Sequence, residues 1–181
     1  MYLYPTHSRA VPGLLLLGLL SAAAPGHGDP GEHIHGTAEL SVVVDADSLL
    51  LELTTPAANL VGFEHPPRTD AERSAVDQAR RTLEDGAALF VPNAEAECVQ
   101  ISHLARLDLG SAPDHDHGDE EVHADAHGEW AFTCAKPVLL SQLDVRLFEH
   151  FPGKERLRVE LATSAGRRAV ELTPDHHVLD L

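Results

Sequence analysis

From Ala38 the chain alternates. Ala38, Leu40, Val42 and Val44 are separated by Glu39, Ser41 and Val43. A period of two over this length predicts a half-buried strand. "DADS" then turns the chain, and Leu49, Leu51 and Leu53 alternate again with Glu52 and Thr54. The two runs read as a hairpin. The segment "TTPAANLVGFEHPPRT" follows with three prolines and no periodicity, so it is a long connection.

The period then changes. Thr69 and Glu72 stand at capping-box spacing, and Ala75, Val76, Ala79 and Leu83 form a narrow apolar stripe before Gly86. That pattern predicts one amphipathic helix. Leu89 to Val91 suits a short strand. Alternation resumes at Cys98 and can run to Leu109, and "EWAFTC" (129–134) reads as its return strand. Pro137 can open a second helix, whose apolar face would be Leu140, Leu143, Leu147, Phe148 and Phe151, with Pro152-Gly153 as its stop. Leu157, Val159 and Leu161, the turn "TSAGR", and Val170 with Leu172 predict a third hairpin, and "HHVLDL" a last edge strand. The expected order is β-β-α-β-β-α-β-β. This is an α+β fold: an antiparallel sheet built from hairpins and covered by two α-helices.

The first residues do not belong to that pattern. Arg9 precedes an apolar run from Leu14 to Leu20, and the small residues Ser21 to Ala24 follow. This is the layout of a secretory signal peptide, and the run is too short to span a bilayer. Residues 1–26 are therefore expected to be a leader, cut between 23 and 26. Residues 27–181 would form one domain.

Composition narrows the partners. The net charge is −16 with histidine neutral, and there are thirteen histidines. Nucleic acid and anionic membrane surfaces are excluded as natural partners by that charge. A cation is favoured.

The candidate ligands are concentrated. Between Ser111 and Gly128 lie four histidines and six carboxylates, without one Lys or Arg. With no apolar periodicity, this 111–128 stretch is expected to be a flexible His/Asp-rich loop at the tip of the second hairpin. His115 and His117, flanked by Asp114 and Asp116, share a side if the backbone is extended. His123 and His127 share a face if it is helical. Imidazole with assisting carboxylate is the ligand set of Zn2+, and Cu2+ and Ni2+ are compatible with it. His33 and His35 form a second pair. If the alternation of the first strand runs back to them, both share the outward face with Thr37 and Glu39. The competing reading is a solvated acidic loop with incidental histidines, on a module that binds a partner other than a metal.

His65, His176 and His177 read as loop or edge residues, and His27, His103 and His150 as structural or exposed. No H-E-x-x-H, G-x-S-x-G or other nucleophile motif is present, so an enzyme is not expected, although scattered histidines could assemble a metal-dependent one.

Two cysteines, Cys98 and Cys134, bracket the His/Asp-rich loop. In an oxidising compartment an even pair is expected as a disulfide at the base of the hairpin. The alternative is a pair of thiolate metal ligands, without the CxxC spacing that usually marks them.

Several stretches carry a family resemblance: "HIHGTAELSVVVD", "LELTTPAANLVGFEHPPRTDAE", "LEDGAALFVP", "FTCAKP", "LFEHFPGKERLRVEL" and "AVELTP". In this order they resemble the ZrgA-type periplasmic zinc-binding proteins of Gram-negative bacteria. The resemblance implies a secreted periplasmic protein that binds zinc and supports its uptake beside a zinc ABC transporter. It favours His33, His35 and the loop histidines as ligands.

Overall fold

The first alternating run becomes β1 (Thr37–Asp45), and the second becomes β2 (Ser48–Pro56). The computed structural model describes residues 36–109, 124–151 and 153–181. After β2 a single helical turn, α1 (Ala58–Val61), leads to the one long helix among the described residues, α2 (Asp70–Glu84). Thr69 caps it as expected: its side chain accepts from Glu72 N–H, and the Glu72 carboxylate accepts from Thr69 N–H. Those backbone hydrogen bonds, the one from Arg68 N–H first, hold the Glu72 carboxyl below its ordinary pKa. Val76, Ala79 and Leu83 are the buried stripe.

A second short turn, α3 (Gly86–Leu89), runs into β3 (Phe90–Pro92). The second hairpin is β4 (Cys98–Leu107) and β5 (Asp125–Cys134). β6 (Gln142–Val145), the turn α4 (Leu147–His150), β7 (Arg156–Thr163), β8 (Gly166–Leu172) and β9 (Val178–Asp180) complete the chain.

The strands form a six-stranded sheet, β4-β5-β2-β1-β7-β8, and a three-stranded sheet, β3-β6-β9. The α+β class and the three hairpins are as the sequence predicts. One pairing is not: β1 and β7 are parallel, so the larger sheet is mixed. β7 reaches β1 only after the chain has crossed the sheet through the smaller one, and a hairpin reading of neighbouring runs does not anticipate that return.

The second long helix is also absent. Residues 137–139 make a 3-10 turn, 142–145 are β6, and only Leu147–His150 is helical. Leu140, Leu143 and Leu147 fit helical spacing, but Leu143, Val145 and Leu147 fit a period of two equally well. Pairing of β6 with both β3 and β9 decides between them, because it satisfies the backbone of a central strand. Leu143 and Val145 are thereby fully buried.

One face of the large sheet carries Leu40, Val42, Leu49, Leu51, Leu53, Phe132, Leu157, Val159 and Leu161, all buried against the helices and the smaller sheet. Trp130 ties these parts together. Its indole Nε1 donates to Leu83 O at the end of α2 (2.7 Å), and its ring lies 4.8 Å from that of Phe90. Two glycines make room for it. A Cβ on Gly86 would stand 2.2 Å from the indole Cδ1, and one on Gly128 2.1 Å from Cη2. Both close approaches require glycine.

Candidate functional site

The large sheet has one end where several termini meet. β1, β5 and β7 begin there, and β2 and β4 end there, as the registers Thr37↔Arg156, Pro56↔Asp125 and Leu107↔Ala126 show. The described chain enters β1 at this end through Gly36, and the residues that bracket 110–123, Leu109 and Ala124, lie at the same end. β1 and β5 are separated only by β2. At about 4.8 Å per strand, the two points are roughly 10 Å apart.

Each point is firmly held. Gly36 N–H donates to Asn59 Oδ1 (2.8 Å), and Gly36 O accepts from Glu155 N–H (2.8 Å) and Arg156 N–H (3.0 Å). Asn59 Nδ2 also donates to Thr37 O and Thr55 Oγ1. Gly36 has φ +80°, a left-handed conformation that glycine adopts without strain. At the other point Leu107, Leu109, Ala124 and Ala126 are buried. Asp108 N–H donates to Asp125 O (2.8 Å), and Ala57 N–H to Ala124 O (2.7 Å). The hairpin base is closed covalently by a Cys98–Cys134 disulfide between residues directly opposite in register. That excludes the thiolate-ligand reading of the pair.

The turn after Phe151 that clamps Gly36 contains a buried amine. Lys154 is 2 % exposed, and its Nζ makes no hydrogen bond among the described residues. Its nearest compensation is the Phe151 ring, 5.7 Å away. Burial lowers its pKa to about 7.

Of the expected ligands, His127 is described. It is exposed on the uncovered face of the sheet, in a row with Arg106 on β4, Thr54 on β2 and Glu39 on β1. His127 Nδ1 lies 3.3 Å from Thr54 Oγ1. With Nδ1–H donating to that hydroxyl, the Nε2 lone pair is left for a metal. Glu52, Leu104, Arg106 and Glu129 surround it in a hollow of about 300 Å3. Alternation marks Glu52 as facing away from the leucines of β2, but the nearness of Glu52 and Glu129 to His127 depends on register between distant strands.

His33, His35, His115, His117, His123 and Asp116 lie outside the described residues, as do the leader and residues 111–123 of the expected 111–128 loop; residues 125–128 of it are instead the start of β5, held by pairing with β2 and β4. Thr37 and Glu39, expected to share an outward face with the first pair, do face outward. Among the described residues no three His, Cys, Asp or Glu side chains converge as a metal-binding group. Two further histidines are locally engaged. His65 bonds Pro66 O and stacks on Phe63, and His177 bonds Pro174 O with Nε2 3.4 Å from Asp144 Oδ1. No helix among the described residues is long and apolar enough to cross a membrane.

These features are those of an α+β domain in which Gly36 and Ala124 stand at one end of the larger sheet. Residues 32–181 match the family model of the ZrgA family zinc uptake proteins. The chain belongs to that family, and its role is accordingly in zinc uptake. A comparison with curated proteins finds no match.

Proposed function

We propose that the protein is an exported zinc-binding accessory or buffer, which captures zinc in the periplasm and supports its transfer to a zinc ABC transporter. The observation that carries this reading is topological. Gly36, one residue after His35, and Ala124, one residue after His123, stand at one end of the sheet two strands apart. Segments with His33 and His35, with His115, His117, His123 and Asp116, and the strand residue His127 can therefore contribute to neighbouring or shared sites. Neutral imidazoles with assisting carboxylates suit Zn2+ as cargo, and the same donors would accept Cu2+ or Ni2+.

Two further points support the reading. A disulfide fits an oxidising compartment and the leader expected at residues 1–26. The family is one of zinc uptake proteins, which supports a binding rather than a catalytic reading. The domain would then span 27–181, with the His/Asp-rich stretch that precedes β5 as its capture loop. Equilibrium dialysis of the mature chain against Zn2+, with elemental analysis of the retained metal, tests the proposal. At least one equivalent retained per chain is expected; none retained at neutral pH would overturn it.

A further inference from the structure

The second face of the six-stranded sheet is not covered by any described residue. Its side chains fall into rows set by the register. One row runs Ala162, Val43, Leu50, Ala131 and Ser102; the next runs Glu160, Ser41, Glu52, Glu129 and Leu104. An apolar row thus lies beside a carboxylate row. Leu50 is 45 % exposed and Leu104 42 %. Val99 (58 %) and Ile101 (62 %), the latter at a bulge in β4, extend the apolar surface to the sheet edge. A hollow of about 350 Å3 lies between Val43, Leu50, Glu52, Leu104 and Glu129.

Glu52 and Glu129 are direct cross-strand partners. Like charges in that position repel, and neither carboxylate has an ion pair among the described residues. The arginines of this face, Arg106, Arg156, Arg158 and Arg167, stand on β4, β7 and β8, and of these Arg106 lines the hollow beside Glu52 and Glu129. Net negative charge is therefore concentrated over the central strands β1, β2 and β5, next to exposed leucines.

We propose that this face, centred on Leu50, Glu52, Leu104 and Glu129, docks a segment of a partner protein that carries Lys or Arg among apolar side chains. Cations of such a segment neutralise the Glu52–Glu129 pair while its apolar side chains cover Leu50 and Leu104. Charge disfavours the alternatives. A second copy brings another −16. Residues 10–35 and 110–123 of this chain contain no Lys or Arg, so neither can supply the cations.

The test is amide-resolved NMR titration of the isotopically labelled mature chain. The probes are a fourteen-residue Leu/Lys peptide, a Leu/Glu control of the same length, and Zn2+ alone. Shifts that cluster at residues 50–52, 102–104 and 129–131 with the Leu/Lys peptide and not with the Leu/Glu control are expected, whether or not Zn2+ shifts amides beside His127. Binding should weaken at least tenfold in Glu52→Gln/Glu129→Gln and in Leu50→Ser, each checked for unchanged circular dichroism. Shifts elsewhere, or binding unaltered in the double Gln variant, would overturn the proposal. So would self-association that depends on Leu50.

Discussion

Replacing Lys154 by methionine should stabilise the protein. The substitution keeps an unbranched stem of similar length and removes an amine that is 2 % exposed and has no hydrogen-bond partner among the described residues. Burial pulls the Lys154 pKa from 10.5 to about 7. At about 1.36 kcal/mol per pH unit, that corresponds to about 5 kcal/mol of penalty on the charged amine. The Phe151 ring and outward relaxation of the flexible stem reduce it, so a gain between about 2 and 5 kcal/mol is expected. The sign follows from proton binding. Between pH 7 and 10.5 the unfolded chain holds a proton that the folded chain has released, so parental stability rises with pH across that window. Below pH 7 both states are protonated and the penalty is complete. The advantage of Lys154→Met should therefore be largest at pH 6.5 and nearly gone at pH 10. Urea unfolding of both proteins at the two pH values measures it. Equal stability at pH 6.5, or a difference that does not change with pH, would refute the reasoning.

Other outcomes follow from the same features. Cys98→Ser/Cys134→Ser opens a covalent loop of sequence separation 36, and should cost about 4 kcal/mol in denaturant unfolding; thiol counting on the unreduced, denatured parent should find no free thiol. Asn59→Ala leaves buried Gly36 N–H and Thr37 O without their side-chain partner, and should cost about 3 kcal/mol, with faster amide exchange at the start of β1. Zinc should be released between about pH 7 and 5, because imidazole ligates only when neutral and its ordinary pKa is about 6.5; retention of zinc down to about pH 4 would point to carboxylates as the ligands.

Much of this fold is written in local pattern. The alternation over 38–53 gives β1 and β2, and the Thr69–Glu72 box marks the start of α2 at the right residue. The failures lie where local pattern is degenerate. Leu140 to Phe151 satisfies two periods, and only pairing with β3 and β9 selects the strand. The parallel return of β7 onto β1 is a contact between runs more than a hundred residues apart, and no spacing encodes it. The same holds for the site. Composition identifies the His/Asp-rich stretch and the His33–His35 pair. The common sheet end of Gly36 and Ala124, the described residues next to them, and the Glu52 and Glu129 carboxylates near His127 emerge only when β2 pairs with both β1 and β5.

Zinc is proposed to be held by the two histidine-bearing segments that adjoin Gly36 and Ala124. A zinc titration that compares the mature chain with His115→Ala/His117→Ala/His123→Ala/His127→Ala and with His33→Ala/His35→Ala tests that proposal most directly. The first variant should lose the loop equivalents and keep a site at His33 and His35, and combining both sets should abolish binding. Unchanged affinity and stoichiometry in the combined variant would contradict it.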